Sequence, residues 1–226
     1  MKLVLTCEHG GNSIPNAYRI LFNGNQNILK SHKGYDLGAL DVFNTLKELS
    51  DYSRSNITSR LLIEPNRSLH HKYLFSGISK PLSKLEKQNI IDHYYLPYRN
   101  HVEQAIKNFI EMNENVLHIS VHTFTPTINQ VERHCDIGLL YDSSRKLEKA
   151  ICKQLQTEIK KLNPQLKVRF NYPYFGKSDG FTTYLRKLFP ENYLGIELEI
   201  NQKFSKNNRM DTSIKQVLFK ALNQLI

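Results

Sequence analysis

Long apolar runs are missing from this chain of 226 residues; none approaches the roughly 18–20 residues of a membrane-spanning helix. The apolar stretch after Met1 is already broken at Cys7-Glu8, too early for the core of a signal peptide, so the expectation is a cytoplasmic protein without a membrane partner. Cysteine is scarce. Cys7, Cys135 and Cys152 are too few and too scattered for a disulfide framework or a four-thiolate zinc site, which leaves histidine and carboxylate as the main ligands for any metal. Repeats, low-complexity linkers and breaks in composition are lacking too, and one domain over residues 1–226 is expected.

Acidic residues are outnumbered by basic ones, 21 against 31, for a formal charge of +10. Such an excess serves a phosphate backbone where Lys and Arg are clustered. Here 21 of the 31 are Lys, dispersed over expected helix surfaces as in Lys146, Lys149, Lys153, Lys160 and Lys161. The dispersion argues for a solvated surface and against nucleic acid as a partner. Attraction of a small anionic substrate is the other role open to the charge.

What is present is a succession of strands and helices. Short apolar runs predict strands at Leu3–Thr6, Tyr52–Ser55, Ser59–Ile63, Val116–Val121, Ile137–Tyr141, Leu166–Phe170 and Tyr193–Ile200. Helical spacing predicts helices over residues 36–49, 83–112, 145–162, 181–189 and 209–226, the second kinked by Pro97. The order, mostly strand then helix, implies an α/β fold whose mostly parallel or mixed central sheet is covered by helices on both faces.

Three polar clusters stand where such strands end or where a helix opens. Glu8-His9-Gly10-Gly11-Asn12 follows the first strand, Tyr35-Asp36-Leu37-Gly38 precedes a helix, and Ser120-Val121-His122-Thr123 closes the clearest buried strand. Singly these are weak: a histidine at a strand end is commonly structural, and Asp36 alternatively serves as an N-cap. Together, His9, Asp36 and His122 make a three-ligand zinc site with one position open, as a catalytic site requires. Glu197 and Glu199 lie two apart on a strand and share a face, so either can supply a base, unless they are solvated acids on an exposed edge. Arg60, Arg67, Arg133 and Arg186 sit in polar or turn segments, suited to a substrate carboxylate or to surface ion pairs. Residues 171–183, rich in Tyr, Gly and Pro, form either a loop enclosing substrate or an ordered turn.

Seven segments, in order, resemble the N-formylglutamate amidohydrolases: Glu8 to Asn12 with Ile14-Pro15, Tyr35 to Ala39, Ser59 to Arg67, Ser120 to His122, Asp136 to Gly138, Asn171 to Thr182, and Glu199 to Asn201. The resemblance implies a zinc-dependent hydrolase with the phosphorylase/hydrolase-like fold of zinc carboxypeptidases. It implies one Zn2+ on His9, Asp36 and His122, Glu199 as general base, and Arg67 as oxyanion donor. Asn66, Arg133, Arg186 and Thr182 are then candidates to bind substrate, with Glu8 orienting a ligand. The expected substrate is an N-acyl acidic amino acid, N-formyl-L-glutamate first, cleaved by a monomer or small homo-oligomer. A fainter resemblance to zinc-dependent cell-wall amidases keeps a peptide or cell-wall fragment as an alternative. A relative that binds metal or ligand without turnover is a further one. Cys7 departs from the serine more usual at that position.

Overall fold

All nine residues from Val116 to Phe124 are buried, and the sheet is built around this run. The computed structural model describes residues 1–226. Its first half contains β1 (Lys2–Cys7), α1 (Gln26–Leu29), α2 (Ala39–Leu46), β2 (Tyr52–Ser55), α3 (Lys84–Ile90), α4 (Leu96–Glu111) and β3 (Val116–Phe124). A small hairpin of β4 (Thr127–Ile128) and β5 (Val131–Glu132) leads to β6 (Ile137–Leu140), α5 (Lys146–Leu162) and β7 (Val168–Phe170). The chain finishes with α6 (Phe181–Leu188), β8 (Tyr193–Asn201), a second hairpin of β9 (Ser205–Lys206) and β10 (Arg209–Met210), and α7 (Thr212–Asn223).

Six strands form one sheet in the order β2, β1, β3, β8, β6, β7. The first four are mutually parallel, β6 runs antiparallel to β8, and β7 is parallel to β6, so the sheet is mixed. Helices cover both faces. Alternate residues Leu3, Leu5, Leu117, Ile119, Ile196 and Leu198 pack with α2, α5 and α7 in a cluster of 27 buried residues. The opposite face carries Val4, Val116 and Tyr193 against Tyr98, Val102 and Ile106 of α4 and Phe181 and Leu185 of α6. Along that second face the character changes from apolar to polar: Val4 gives way to Thr6 and Glu8, and Val116 to His118, Ser120 and His122. None of the helices is long and apolar enough to cross a membrane.

Two expectations are corrected. Residues 59–63 are not a strand; the Ser59 hydroxyl and the Arg60 N–H donate to the Gly34 carbonyl at 2.9 and 3.2 Å. The apolar Leu62 and Ile63 are buried in a separate cluster with Phe22, Leu74, Ile90 and Tyr95, so burial without sheet pairing produced the strand-like pattern. The last helix begins at Thr212, because Arg209 and Met210 pair with Ser205 and Lys206. The region from Ser83 to Met112 is helical throughout, opened by a reciprocal Ser83–Glu86 capping box. Pro97 sits in the first turn of α4, immediately after a wide π turn over Ile91–Tyr95 that spaces the two helices.

Gly138 on β6 pairs with Glu199 on β8. A Cβ at position 138 would stand 2.1 Å from the Tyr172 carbonyl oxygen and 3.2 Å from the Glu199 Cβ. The absent side chain therefore lets the loop after β7 close over the strand that bears the carboxylates. Gly138→Ala is expected to lower stability by about 1–3 kcal/mol, as overpacking does. Urea denaturation of the two proteins measures it, and equal midpoints would show that the loop moves aside at no cost.

Candidate metal centre

Parallel register assembles the site at the carboxyl ends of the central strands. His122 on β3 pairs with Glu199 on β8, and Ser120 with Glu197. His9 lies two residues beyond the end of β1, and the N–H of Asp36 donates to its carbonyl at 2.9 Å, which ties two ligand-bearing loops together. The turn at Gly10-Gly11 runs hard against residues 56–57; a Cβ on Gly11 would be 2.7 Å from the Ile57 carbonyl oxygen.

His9 Nδ1 and His122 Nδ1 stand 3.2 and 3.0 Å from the same oxygen of Asp36, Oδ2, and 3.1 Å from each other. The opposite ring nitrogens are both engaged. His9 Nε2 meets Glu64 Oε1, and His122 Nε2 lies 3.1 Å from Glu8 Oε2 and 2.8 Å from Ser120 Oγ. An Nε2–H that donates to a carboxylate leaves the Nδ1 lone pair free, as in the carboxylate–histidine pairs of metal sites. Both Nδ1 atoms and Asp36 Oδ2 then present lone pairs to one point. The three potential ligand atoms lie within 4.8 Å of one another, and all three residues are buried.

Buried acids outnumber buried bases here. Glu8, Asp36 and Glu64 surround the two imidazoles, with Arg60 the guanidinium among them, bonded to Glu64 Oε2 at 2.7 Å and Asp36 Oδ1 at 3.2 Å. Burial opposes ionisation of all three carboxyls, yet their charged and hydrogen-bonded partners hold each well below the usual carboxylate range. Burial likewise opposes charge on His122, but Asp36 and Glu8 raise it well above an ordinary histidine. The cluster thus demands positive charge at Nδ1, which a proton or a divalent cation supplies. Two imidazoles and one carboxylate are the donor set suited to Zn2+.

Glu199 is the other acid at this point, and it differs. Burial, opposed by His122 and reinforced by Asp36 and Glu197, pushes its carboxyl up to about 8. Its Oε2 is buried and has no hydrogen-bond partner. Together with the three ligands it borders a cavity of about 210 Å³ that Asn66, Arg67 and Glu197 also line. Tyr174 and Phe175, from the loop between β7 and α6, stand at the mouth, both partly solvent-exposed. Asn171 holds that loop, its Oδ1 accepting from Tyr141 N at 3.0 Å and Gly176 N at 3.1 Å.

A family model described as N-formylglutamate amidohydrolase matches residues 1–205. The chain belongs to the N-formylglutamate amidohydrolase family. Among solved structures, gene product Atu2144 from Agrobacterium tumefaciens is 23% identical and superimposes with a TM-score of 0.80 over 99% of this chain and 91% of its own. The N-formylglutamate amidohydrolase from Ralstonia eutropha JMP134 is 16% identical, with a TM-score of 0.71 over 100% of this chain and 91% of its own. At these identities the likenesses establish the shared fold. No curated protein matches the chain in sequence.

Around this cavity the residues anticipated from sequence take different places. His9, Asp36, His122, Glu199, Asn66 and Arg67 converge on the one cavity. Glu8 supports a ligand, also accepting from Tyr98 OH at 2.9 Å. Asp36 does not cap α2: Gly38, in the left-handed region at φ 83°, occupies that position. Arg60 is consumed by Asp36 and Glu64. Arg133 does not line the cavity; it bonds Thr125 and stands 3.2 Å from Tyr174 OH, against its ring. Thr182 is buried behind Glu197, to which its hydroxyl donates at 2.8 Å.

Arg186 lies away from the cavity. It is buried, pairs with Glu148 at 2.8 Å and donates to the carbonyls of Gly176 and Gly195 at 2.6 and 2.7 Å. The sequence signal that favoured it, an arginine among lysines, marks a buried ion pair equally well. Two positioning residues escaped notice. Glu64, in Glu64-Pro65-Asn66-Arg67, orients His9. Arg99 on α4 stacks on Phe181 at 4.2 Å and donates to the Pro65 carbonyl at 3.0 Å, fixing the segment that carries Glu64 to Arg67. A buried arginine on an amphipathic helix was the available clue.

Glu64→Gln should weaken divalent metal affinity by about 10–100-fold, measured in competition with a chromophoric chelator; unchanged affinity would remove Glu64 from its supporting role. Arg186→Leu leaves buried Glu148 with only the longer ion pair to Arg145 at 3.4 Å and should cost about 3 kcal/mol or more in chemical denaturation. A normal unfolding midpoint combined with a raised KM would instead return Arg186 to substrate binding.

Proposed function

We propose that the chain is a zinc-dependent amidohydrolase that cleaves the amide of an N-acyl acidic amino acid, with N-formyl-L-glutamate as first substrate. The observation that carries the reading is the unpartnered, buried Oε2 of Glu199 beside three convergent metal-ligand atoms. A zinc ion on His9, Asp36 and His122 would act as a Lewis acid and lower the pKa of water toward about 7.

Glu199 takes the proton from the attacking water and passes it to the leaving amine, acting as base and then acid. Its burial and the nearby Asp36 and Glu197 favour the uncharged carboxyl, which suits the second half of that exchange. Arg67 supplies an N–H to the tetrahedral oxyanion; one of its nitrogens is already fixed on the Asp179 carbonyl, which leaves the rest of the fork for substrate. Asn66 accepts from Phe181 N at 2.7 Å through Oδ1, so its amide NH2 is the group that faces a substrate carboxylate. Arg133 acts outside the cavity, where its hold on Tyr174 sets the loop's position. Thr182 aligns Glu197. The cavity of about 210 Å³ supports a small substrate over a peptide or cell-wall fragment. A catalytic role fits the intact base better than metal binding without turnover.

Hydrolysis of N-formyl-L-glutamate should cease on chelation and return with zinc; full activity of metal-free protein would sink the proposal. Glu199→Gln should retain zinc while turnover falls by about 10²-fold or more. Retained turnover would transfer the role of base to Glu197.

A further inference from the structure

Asp36 is a wall between two cavities. Beyond it lies a second space of about 330 Å³, which shares Asp36, Arg60, Thr123 and Tyr174 with the cavity that holds the ligands and Glu199. Asp36 and Arg60 carry opposite charges and are paired at 3.2 Å, with Arg60 shared with Glu64 at 2.7 Å. The remaining charge in the second cavity comes from Lys33, with His32 beside it; both are exposed, neither has an acidic partner, and no other carboxylate lines the space. Phe124 gives it an apolar side suited to methylene groups.

A formyl group is one carbon bearing a hydrogen and fills no cavity of its own. A substrate with its scissile carbonyl at the three ligands has two arms. The amino-acid arm lies toward Asn66 and Arg67, which leaves the acyl arm to pass Thr123 and Tyr174 into the second space. Lys33 and Asp36 are three positions apart in the chain, so their Cα atoms are at most about 11 Å apart, within the combined reach of a lysine stem and a short acyl chain. An ammonium at the far end of an otherwise neutral cavity selects a terminal anion.

We propose that the second cavity is an acyl subsite which admits, beside formyl, a dicarboxylic acyl group of four or five carbons, its free carboxylate meeting Lys33. The inference rests on the amidohydrolase reading above. In the reaction, water adds its oxygen to the acyl carbon, the C–N bond breaks, and the proton taken from water goes to the departing nitrogen. The products are a diacid and a free amino acid, with no change of oxidation state.

The test compares kcat/KM of the zinc-loaded enzyme on N-formyl-, N-butyryl- and N-succinyl-L-glutamate; the last two have equal chain length and differ in the terminal carboxylate. Succinyl is expected to exceed butyryl by about tenfold or more, and Lys33→Glu to reduce the succinyl-to-butyryl ratio to one or below. Lys33→Ala, read the same way, should give an intermediate ratio. Turnover of the formyl substrate with succinyl no better than butyryl would overturn the subsite and leave the amidohydrolase reading intact. A ratio indifferent to Lys33→Glu would also overturn it. Turnover of none of the three would overturn both.

Discussion

Two imidazoles can offer the same nitrogen to one cation only if their opposite nitrogens are held, and here each is held by a buried carboxylate. Glu64 secures His9 and Glu8 secures His122, while Arg60 joins Glu64 to Asp36. Burying so many acids is costly unless cations compensate them. The fold supplies one guanidinium and two imidazoles, and a divalent ion at Nδ1 would complete the balance. The same demand for positive charge that favours metal also explains why Glu199 stands apart: it has no bonded partner, and burial keeps its proton in place. One neighbourhood thus holds three carboxyls that are firmly ionised and a fourth in which burial favours the protonated form.

The sheet makes this possible through one face that changes character along its length. Near the start of β1, β3 and β8 the face is apolar and packs on α4 and α6. Toward the other end the same alternation presents Glu8, Ser120, His122, Glu197 and Glu199. His118 marks the transition, buried between Thr6 Oγ1 and Tyr193 OH at 2.7 Å each, with burial lowering its pKa to about 4. It is a neutral spacer that satisfies polar partners inside the sheet layer. Rigid strands therefore place His122, Glu197 and Glu199, while His9, Asp36 and the Glu64 to Arg67 segment arrive on loops tied down by backbone hydrogen bonds.

Much of this was legible in the residues. A buried strand carrying His122 and another running into Glu8-His9 pointed to two potential ligands that the fold brings together, and the two-residue spacing of Glu197 and Glu199 put both on the face of the cavity. Periodicity found the helices because their apolar stripes are regular. It failed at Ser59 to Ile63, where the chain buries Leu62 and Ile63 beneath a loop without joining the sheet. It was also silent on Glu64, whose partner His9 is 55 residues away, since no local pattern encodes a long-range hydrogen bond. Arginine scarcity identified Arg67 correctly as a resident of the cavity but could not separate it from Arg186, because a guanidinium serves buried Glu148 as readily as a substrate.

The hairpin of β9 and β10 has a bearing on how the protein is made. All three ligand-atom donors lie within the first 122 residues, yet the turn that presents Asp36 is pinned from the far end of the chain: Gly38 N–H donates to Asn208 Oδ1 at 2.8 Å, and Met210 N–H to Asp41 Oδ2 at 2.9 Å. Asn208 and Met210 also fall beyond the span shared with the family, residues 1–205. A ribosome that has released His122 has therefore not yet delivered the pieces that hold Asp36 in place. The turn that carries Asp36 is therefore completed only when the C-terminal hairpin has been made.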